Sequence, residues 1–358
     1  MAAHNSGPLF CRQPPTSVLY LMNLNNMKAI VLNGINEPLI WKNVPIPDVG
    51  MDDALVRIKA AAFNRRDWWI KQGKYGGLKF PIILGSDGAG IVEKVGAGRH
   101  GSWVGREVII NPSIAWGQSE AAQAKAFHIL GLPQDGTFAE YVRVPVANLY
   151  EKPRHLSFDE AAALPLGGLT AYRALFSRAG LKAGERVLIV GAGGGVATFA
   201  LQWAVHAGAQ VYVTSSTVTK IERAVSLGAK AGVLYTDEDW ALQLQEKSGG
   251  IDIIIDSALG EGFTHHLDLA NPGGRIVFFG GTAGNIPALN ARKIFWKQLS
   301  LFGTTMGSPA DFAHMLAFLN QHQIKPIIDS TYPLEDAEIA LRQMDDSVQF
   351  GKIVLKNA

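Results

Sequence analysis

Short apolar runs, separated by turn residues, follow one another through the first third of the chain. They occupy residues 28–32, 54–62, 90–95, 107–111 and 139–144, with glycine, proline or asparagine between them. Many short strands with this punctuation indicate an all-β or β-rich barrel domain. We therefore predict such a domain from Met27 to about Leu149.

Near residue 157 the pattern changes to helices that alternate with uninterrupted apolar strands. Ser157 and, three residues later, Glu160 predict a capped helix over residues 157–164. Strands without polar alternation are buried on both faces, which indicates a parallel sheet covered by helices. The predicted strands are 186–190, 211–214, 251–256, 275–280, 299–304 and 352–355, and the predicted helices are 196–207, 219–227, 309–322 and 334–344.

A glycine cluster lies between the strand 186–190 and the helix that begins at Val196. Gly193, Gly194 and Gly195 have no Cβ, so a pyrophosphate can approach their backbone, and the helix N-terminus presents free N–H groups to the anion. In the aligned dinucleotide fingerprint only Ala197 falls within the allowed variation, so the strand-to-helix context is the stronger argument. We predict a dinucleotide phosphate site at residues 193–196, with a plain strand-to-helix turn as the alternative.

The next strand ends without the acid that an NAD site places on the ribose 2'-hydroxyl. Residues 214–217 carry hydroxyl groups instead, and Lys220 follows them. Hydroxyl donors and a cation suit a 2'-phosphate, which a carboxylate would repel. We predict NADP(H) as the cofactor, with its 2'-phosphate at Ser215, Ser216 and Lys220. A solvated helix lysine is the alternative interpretation of Lys220.

Composition and charge narrow the classes of function. A chain with 47% hydrophobic and 18% charged residues is globular in character. Its 33 lysines and arginines against 31 acids leave a formal net charge of +2, far from the basic balance expected of a nucleic-acid-binding protein. Cys11 is the single cysteine, which excludes an intrachain disulfide framework and favours a reducing compartment, the cytosol. We expect a cytoplasmic protein without nucleic-acid partners and, since no apolar run reaches about 18 residues, without a membrane span.

Residues 1–26 contain no acid and a single arginine, Arg12. This composition weakly resembles a transit segment. The simpler interpretation, which we favour, is a flexible N-terminal extension upstream of the first strand, with Met27 as a candidate start.

Four further segments occur in a specific order around the glycine-rich turn: Gly85-Ser-Asp-Gly-Ala-Gly-Ile-Val92, Gly136-Thr-Phe-Ala-Glu-Tyr141, Leu164-Pro-Leu-Gly-Gly-Leu-Thr-Ala-Tyr172 and Gly351-Lys-Ile-Val-Leu355. Together they resemble the medium-chain dehydrogenase/reductase superfamily, specifically its zinc-free quinone oxidoreductase and enone reductase branch, over roughly residues 27–358. The resemblance implies an α/β fold in which a Rossmann domain with a doubly wound parallel sheet is inserted into a GroES-like β-rich catalytic domain. We expect the catalytic domain over residues 27–155 and 299–358, and the Rossmann domain over residues 156–298.

The same comparison places the zinc ligands of the alcohol dehydrogenase branch at Asn64, Ser86 and Leu166. Leu166 cannot ligate a metal, and an amide and a hydroxyl are poor substitutes for thiolate and imidazole. The segment expected to carry a four-cysteine structural lobe, residues 111–135, contains no cysteine. We expect no metal, and a zinc-dependent alcohol dehydrogenase is the competing interpretation.

Without a Lewis acid, alcohol oxidation lacks the usual means of stabilising an alkoxide. Hydride transfer from NADPH to a quinone or an α,β-unsaturated carbonyl compound needs only a hydrogen-bond donor at the oxygen that gains negative charge. By resemblance, Asn64 lies beside the nicotinamide and Asp67 orients its loop. Tyr75 is the candidate donor to the substrate carbonyl, or the proton source. The alternative role of Tyr75 is that of a packing aromatic, and the alternative role of Asp67 is that of a helix cap. For the whole protein, the alternative is an NADPH-binding protein without significant turnover.

The resemblance assigns further cofactor contacts to both domains: the pyrophosphate to Arg65 and Lys352, the nicotinamide region to Thr170, the adenosine phosphate edge to Tyr235, and the cleft wall to Phe279, Gly280 and Thr282. For Arg65 a surface cation is an equal alternative. The strand with Phe302 and Thr304 is expected to line the cofactor site and to pair across a dimer axis, because a bare apolar edge strand promotes aggregation. We therefore expect a homodimer.

Overall fold

The computed structural model describes Met1, residues 26–98 and residues 100–357. The extension predicted for residues 1–26 lies outside the described residues, except for Met1 and for Asn26, which begins the first strand. No helix within the described part of the chain is both long and apolar enough to cross a membrane.

The strands of the described residues are β1 (Asn26–Leu32), β2 (Leu39–Pro45), β3 (Asp53–Ala62), β4 (Ile82–Ile83), β5 (Asp87–Val95), β6 (Glu107–Ile110), β7 (Ser113–Ile114), β8 (His128–Ile129), β9 (Tyr141–Pro145), β10 (Leu149–Glu151), β11 (Arg186–Ile189), β12 (Gln210–Ser215), β13 (Ala231–Leu234), β14 (Ile251–Asp256), β15 (Ala270–Phe278), β16 (Ser300–Gly303), β17 (Ile328–Pro333) and β18 (Lys352–Lys356).

The α-helices span Arg65–Lys71, Phe158–Ala163, Pro165–Tyr172, Gly195–His206, Val218–Ser226, Trp240–Ser248, Phe263–Leu269, Ala291–Trp296, Pro309–His322 and Ala337–Asp345. A π-helix, Arg173–Arg178, continues the Pro165–Tyr172 helix, and single 3₁₀ turns lie at Gly101–Trp103, Val146–Asn148 and Leu334–Asp336. The helix Phe158–Ala163 begins as predicted, because the Ser157 hydroxyl accepts the N–H of Glu160.

The β-rich part of the molecule is built from both ends of the chain. Its largest sheet has the strand order β10-β6-β5-β3-β18-β17, with β9 also paired to β3. The C-terminal strand β18 pairs antiparallel with β3, with Val354 opposite Ala62. Phe63 and Phe138 meet edge to face in the core, with ring centroids 4.6 Å apart. These strands carry the residues that face the candidate site.

The second part is a parallel sheet with the strand order β13-β12-β11-β14-β15-β16. Helices cover both faces, since alternate residues of β11 enter different cores: Val187 packs in the cluster that contains Trp203, and Leu188 in the cluster that contains Phe263. The strand order reverses beside β11, which is where doubly wound folds bind ligands. The predicted fold class, a Rossmann sheet with a GroES-like β-rich domain, is confirmed.

Two elements lie on the other side of the predicted domain limits. The strand Ser300–Gly303, assigned to residues 299–358 of the catalytic domain, pairs parallel with β15 and extends the nucleotide-domain sheet. The helix Phe158–Ala163, assigned to the Rossmann domain, packs on β3 and β5 of the β-rich domain. The limits at residues 156 and 299 are therefore wrong for these elements, because each buries its apolar face against the neighbouring domain.

Candidate active site

A cleft of about 790 Å³ opens between the β-rich domain and the carboxyl ends of the parallel strands. A concave site with apolar walls and a few converging polar groups is the usual form of a cofactor site. All predicted site residues except Asp67 and Phe302 line it, namely Asn64, Arg65, Tyr75, Thr170, Gly193, Gly194, Gly195, Val196, Ser215, Ser216, Lys220, Tyr235, Phe279, Gly280, Thr282, Thr304 and Lys352.

The glycine-rich turn leads directly into a helix that begins at Gly195, one residue before the predicted start. Gly193 has a φ of 121°, a conformation that side chains rarely adopt. A Cβ at Gly195 would lie 2.8 Å from Lys352 Cδ, so a side chain there would displace the lysine. The turn therefore needs glycine at both positions, and it leaves the N–H groups of the first helical turn facing the cleft.

The hydroxyl-rich end of β12 separates into buried and accessible groups. Ser215 is 1% exposed, and its hydroxyl donates to the carbonyl of Ala192 over 2.9 Å. The hydroxyl is thus already bonded within the turn, which differs from its predicted role as a phosphate donor. Ser216 is exposed, and Lys220 Nζ donates to the carbonyl of Ser347 over 2.6 Å. Burial lowers the pKa of Lys220.

Ser347 also accepts a hydrogen bond from Arg65, whose Nη2 lies 3.0 Å from the Ser347 hydroxyl. The segment around Ser347 continues to Gly351, whose N–H donates to the carbonyl of Gly193 over 3.0 Å. Two of the three cations that were predicted to bind cofactor phosphates, Arg65 and Lys220, are therefore held at one residue beside the glycine-rich turn.

A buried polar cluster forms the floor of the cleft in the β-rich domain. Lys352 is 3% exposed, and its ammonium donates to Phe63 O at 2.7 Å, Asn64 Oδ1 at 2.6 Å and Asp87 Oδ2 at 2.9 Å. Asn64 Nδ2 donates to the same Asp87 oxygen over 2.9 Å, and the N–H of Leu166 donates to Asp87 Oδ1 over 2.8 Å. All three ammonium protons are used, so the Lys352 side chain holds Asn64 in place instead of reaching toward the predicted pyrophosphate contact.

The positions that correspond to zinc ligands do not offer a zinc site. Asn64 Oδ1 accepts from the Lys352 ammonium, and Ser86 Oγ accepts from Arg66 Nη1 over 2.7 Å. Each side-chain oxygen thus already faces a cation, and a divalent ion would be repelled there. Leu166 contributes no donor, and no group of three histidine, cysteine or acidic residues in the described part could hold a metal. The donor set does not fit zinc.

Asp67 lies behind the wall of the cleft and is fully buried. Its carboxylate accepts the N–H of Asn64 over 2.8 Å and that of Gly85 over 3.4 Å, in the first turn of the helix Arg65–Lys71. Burial raises the pKa of Asp67 to about 6, although the neighbouring Arg66 charge and these hydrogen bonds lower it. Asp67 therefore positions the Asn64 backbone and caps the helix, without contact to the cleft.

Tyr75 lines the cleft and lies against a guanidinium that the sequence did not single out. Arg66 is 6% exposed, and its Cζ lies 5.0 Å from the centre of the Tyr75 ring. Its Nη1 donates to Ser86 Oγ and to the carbonyl of Leu130 over 2.8 Å. A surface position is the usual expectation for one of two consecutive arginines. Only the packing of the helix Arg65–Lys71 against the β-rich domain reveals that the Arg66 side chain is buried.

A histidine and a carboxylate that were not predicted as site residues lie close together at the carboxyl end of β14. His266 Nε2 is 3.0 Å from Asp256 Oδ2, and both residues line the cleft and are buried. The other oxygen of Asp256 accepts the N–H of Ala258 over 2.6 Å. The adjacent histidines at 265 and 266 gave no signal of this pairing, because the carboxylate partner is brought in by the preceding strand.

Phe302 is placed differently from its prediction as a cofactor contact. Its ring lies under the guanidinium of Arg178, 5.3 Å from Cζ, and does not line the cleft. In a strand, alternate side chains enter opposite faces, and position 302 faces the helix layer. Thr304, just beyond the strand, does line the cleft, with its N–H bonded to the carbonyl of Phe278.

Residues 50–154 match the alcohol dehydrogenase GroES-like domain, and residues 195–321 match the zinc-binding dehydrogenase family. The zinc-type alcohol dehydrogenase-like protein YogA of Leptosphaeria maculans is 34% identical, over 89% of this chain and 94% of the relative. An acryloyl-coenzyme A reductase of Sulfurisphaera tokodaii is 31% identical, over 92% of this chain and all of the relative. A crystal structure of an NAD-dependent alcohol dehydrogenase superposes with a TM-score of 0.87 at 37% identity, over 93% of this chain and all of that chain. The chain is therefore an oxidoreductase of the medium-chain dehydrogenase/reductase superfamily.

Proposed function

We propose that this protein is a zinc-independent, NADPH-dependent reductase that transfers hydride to a quinone or an α,β-unsaturated carbonyl compound. The observation that carries the proposal is that the two polar residues at the zinc-ligand positions each accept from a buried cation. Asn64 accepts from Lys352, which also pairs with Asp87, and Ser86 accepts from Arg66. Lys352 uses its three N–H groups on Phe63, Asn64 and Asp87, so the positive charge and the hydrogen-bond donor that replace a metal come from Arg66.

The residues present fit a nicotinamide dinucleotide. The turn at residues 193–195 offers its backbone to the pyrophosphate, and Ser216 with Lys220 is accessible to a 2'-phosphate. Thr170 and Thr304 line the same cleft, and we assign them to the nicotinamide end of the cofactor. When bound, the reduced nicotinamide supplies a hydride, that is, two electrons and one proton.

The chain's own residues prepare the acceptor side. Phe63, Leu166 and Trp69 give this end of the cleft apolar walls, which exclude water from the reacting atoms. Asn64 is fixed by Lys352 and Asp87 and therefore keeps one orientation. The Tyr75 hydroxyl provides a proton to the carbon next to the reduced carbonyl group, or a hydrogen bond to its oxygen.

The name of one relative supports the choice of substrate class. The acryloyl group of acryloyl-coenzyme A is an α,β-unsaturated thioester, and the reductase of that name matches this chain over 92% of its length. NAD-dependent alcohol dehydrogenases also stand among the relatives, so the choice of cofactor rests on Ser216 and Lys220.

Titration of the purified protein with NADPH and with NADH, followed by cofactor fluorescence, tests the cofactor. Addition of 2-cyclohexen-1-one or 1,4-benzoquinone, with and without a chelator, then tests the reaction. We expect tighter NADPH binding and cofactor oxidation that the chelator does not change. Oxidation of a primary alcohol that requires added zinc, without reduction of either acceptor, would contradict the proposal and favour an alcohol dehydrogenase.

We propose, in addition, that the protein is a homodimer through the strand Ser300–Gly303. Within the described residues this strand pairs with β15 alone, and its other edge carries free backbone groups. Pairing of this edge with its copy would satisfy those groups about a two-fold axis.

A further inference from the structure

Arg66 is a buried cation without an acidic partner. Its guanidinium bonds only to the Ser86 hydroxyl and the Leu130 carbonyl, and Nε has no acceptor among the described residues. Of the described arginines, the ones with an acidic partner within 4 Å are Arg57, Arg106, Arg143, Arg173, Arg186, Arg275 and Arg342. Burial of a charge without a paired counter-charge is costly, so an unpaired cation at a cleft indicates a site that gains its anion from a ligand.

The two neighbouring carboxylates are already engaged by other groups. Asp87 accepts from Lys352, Asn64 and the N–H of Leu166. Asp67 accepts two backbone N–H groups and influences Arg66 only through a longer-range charge interaction. The Lys352 charge is balanced by Asp87, whereas the Arg66 charge has no such contact. Arg66 is therefore the cation at this end of the cleft that can attract a negative oxygen.

The surroundings of Arg66 favour the substrate, and not the cofactor phosphates, as the source of the negative oxygen that binds to it. The guanidinium packs on Tyr75, and Trp69 and Ile129 line the cleft with it. Arg65, the neighbouring residue, bonds to Ser347 beside the glycine-rich turn, where the phosphates are expected. Consecutive arginines thus face different parts of the cleft.

We propose that Arg66 binds the oxygen of an α,β-unsaturated carbonyl substrate and stabilises the negative charge that develops there. This inference rests on the proposed function and names the residue that performs its electrostatic step. A planar guanidinium held by two neutral acceptors is preorganised, and such donors are worth far more inside a water-excluded site than in water.

The electron balance of the step is as follows. A hydride from the reduced cofactor, whose own C–H bond breaks as the cofactor is oxidised, would form a C–H bond at the β-carbon. The π pair of the C=C then forms a new double bond between the α-carbon and the carbonyl carbon, and the carbonyl π pair moves onto oxygen. Arg66 holds this enolate oxygen. A proton from Tyr75 or water then forms a C–H bond at the α-carbon, and the carbonyl is restored as the C=C is lost.

The test compares R66M and R66A with R178M, a control that removes another arginine packed on an aromatic ring but outside the cleft. Single-turnover oxidation of bound cofactor by 2-cyclohexen-1-one should slow by about a hundredfold or more in R66M, with cofactor affinity changed less than about twofold. R178M should react like the wild type. Added methylguanidine should restore part of the rate of R66A, which a merely structural role would not allow.

A binding measurement gives a readout that does not depend on turnover. Crotonate, whose carboxylate carries negative charge like an enolate, is titrated by calorimetry into protein saturated with oxidised cofactor. We expect binding by the wild type and R178M and at least about tenfold weaker binding by R66M, equivalent to about 1.4 kcal/mol.

The outcomes separate the two proposals. If the wild type reduces the enone and R66M keeps its rate, the role of Arg66 is overturned while the proposed function stands. If the wild type reduces neither an enone nor a quinone, the proposed function fails. In that case Arg66-dependent crotonate binding still supports an anion site at Arg66, and equal binding by R66M overturns it.

Discussion

Only some of the residues at the floor of the cleft could be identified from the sequence. Asn64 was identified by the resemblance to the superfamily, and the glycines of the turn because they occur in a short motif with a known physical purpose. Arg66 and Asp87 were not, because their importance comes from burial and from partners distant in the chain. Asp87 meets Lys352, which follows it by 265 residues. A local sequence pattern cannot show a contact between residues so far apart in the chain.

Asp67 titrates at a higher pH in the folded chain than in the unfolded one. Burial raises its pKa from 3.8 to about 6. The folded state therefore binds more protons between these values, and the stability from the protonated carboxyl is present below pH 3.8 and lost as pH rises through about 6. We expect the free energy of unfolding of the wild type, relative to D67N, to fall by up to about 3 kcal/mol over this interval.

Urea titrations of both proteins at a series of pH values measure this difference. Since the amide of D67N does not titrate in this range, the variant serves as the reference. Parallel pH profiles would show that Asp67 keeps its ordinary pKa in the folded state.

Removal of the Lys352 ammonium should leave the Asp87 carboxylate buried without its cation. We expect K352M to lower the free energy of unfolding by about 3–5 kcal/mol, and D87N in the same chain to restore part of the loss. The control is K356M, which breaks a pair between the half-exposed Lys356 and Asp159 and should cost less than about 1 kcal/mol. Equal losses in K352M and K356M, by chemical denaturation, would contradict the buried ion pair.

Lys220 and Ser215 should affect the two cofactors differently. Lys220 can leave Ser347 for a 2'-phosphate, so K220A should weaken NADPH binding by about tenfold or more and NADH binding much less. The Ser215 hydroxyl is bonded to Ala192, so S215A should change the affinities for both cofactors alike. Fluorescence titrations of the two variants with each cofactor measure this, and a parallel loss for both cofactors in K220A would remove Lys220 from the phosphate site.

Among the elements, the buried strands were the most predictable and the edge elements the least. The strand Ile251–Asp256 and the helix Pro309–His322 have the predicted bounds, because continuous apolar runs and a capping serine mark them. The edge strand Ile328–Pro333 was missed, since its half-exposed residues show no apolar pattern. The helix Pro165–Tyr172 was missed because two glycines lower its intrinsic propensity, and its stability comes from tertiary packing such as the Trp203 hydrogen bond to Gly168.

The conformation of the loop after β14 depends on one carboxylate, that of Asp256. Asp256 accepts from Ala258 and Leu259 through one oxygen and lies next to His266 through the other. We expect D256A to lower the free energy of unfolding by about 2–4 kcal/mol, because buried polar groups lose their partner. Amide hydrogen exchange at Ala258 and Leu259 should become faster. Unchanged exchange at these amides would show that the loop holds its conformation without Asp256.

At the scale of the whole molecule, the two parts of the chain meet at Asp87. The carboxylate belongs to β5 of the β-rich domain, and it accepts from Leu166 at the start of a helix that packs against the nucleotide domain. The resemblance predicted that both chain ends build one domain, and the pairing of β18 with β3 agrees with that expectation. The limits at residues 156 and 299 were misjudged because chain position does not show which core an element covers.

The edge strand Ser300–Gly303 gives the prediction for assembly. A lysine at Phe302 would replace the aromatic contact with Arg178 by two neighbouring cations, and pairing of the strand with its copy would bring the added charges together on one face of the joined sheet. We expect F302K to be monomeric by light scattering, with the wild type at twice that mass. The control is V104K, at an exposed residue far from this strand in sequence, and it should leave the mass unchanged. A dimeric F302K would place the interface elsewhere.

The floor of the cleft also has a consequence for chemical durability. Thiolates that hold a metal are readily oxidised by peroxide, and their oxidation releases the ion. Here an amide, a hydroxyl and an alkyl side chain occupy those positions, with the Lys352 ammonium on the amide and the Arg66 guanidinium on the hydroxyl, and none of these groups is oxidised under such conditions. The chain's one cysteine, Cys11, is not among them. The charge at this end of the cleft should therefore persist under oxidative stress that would disable a zinc-thiolate centre.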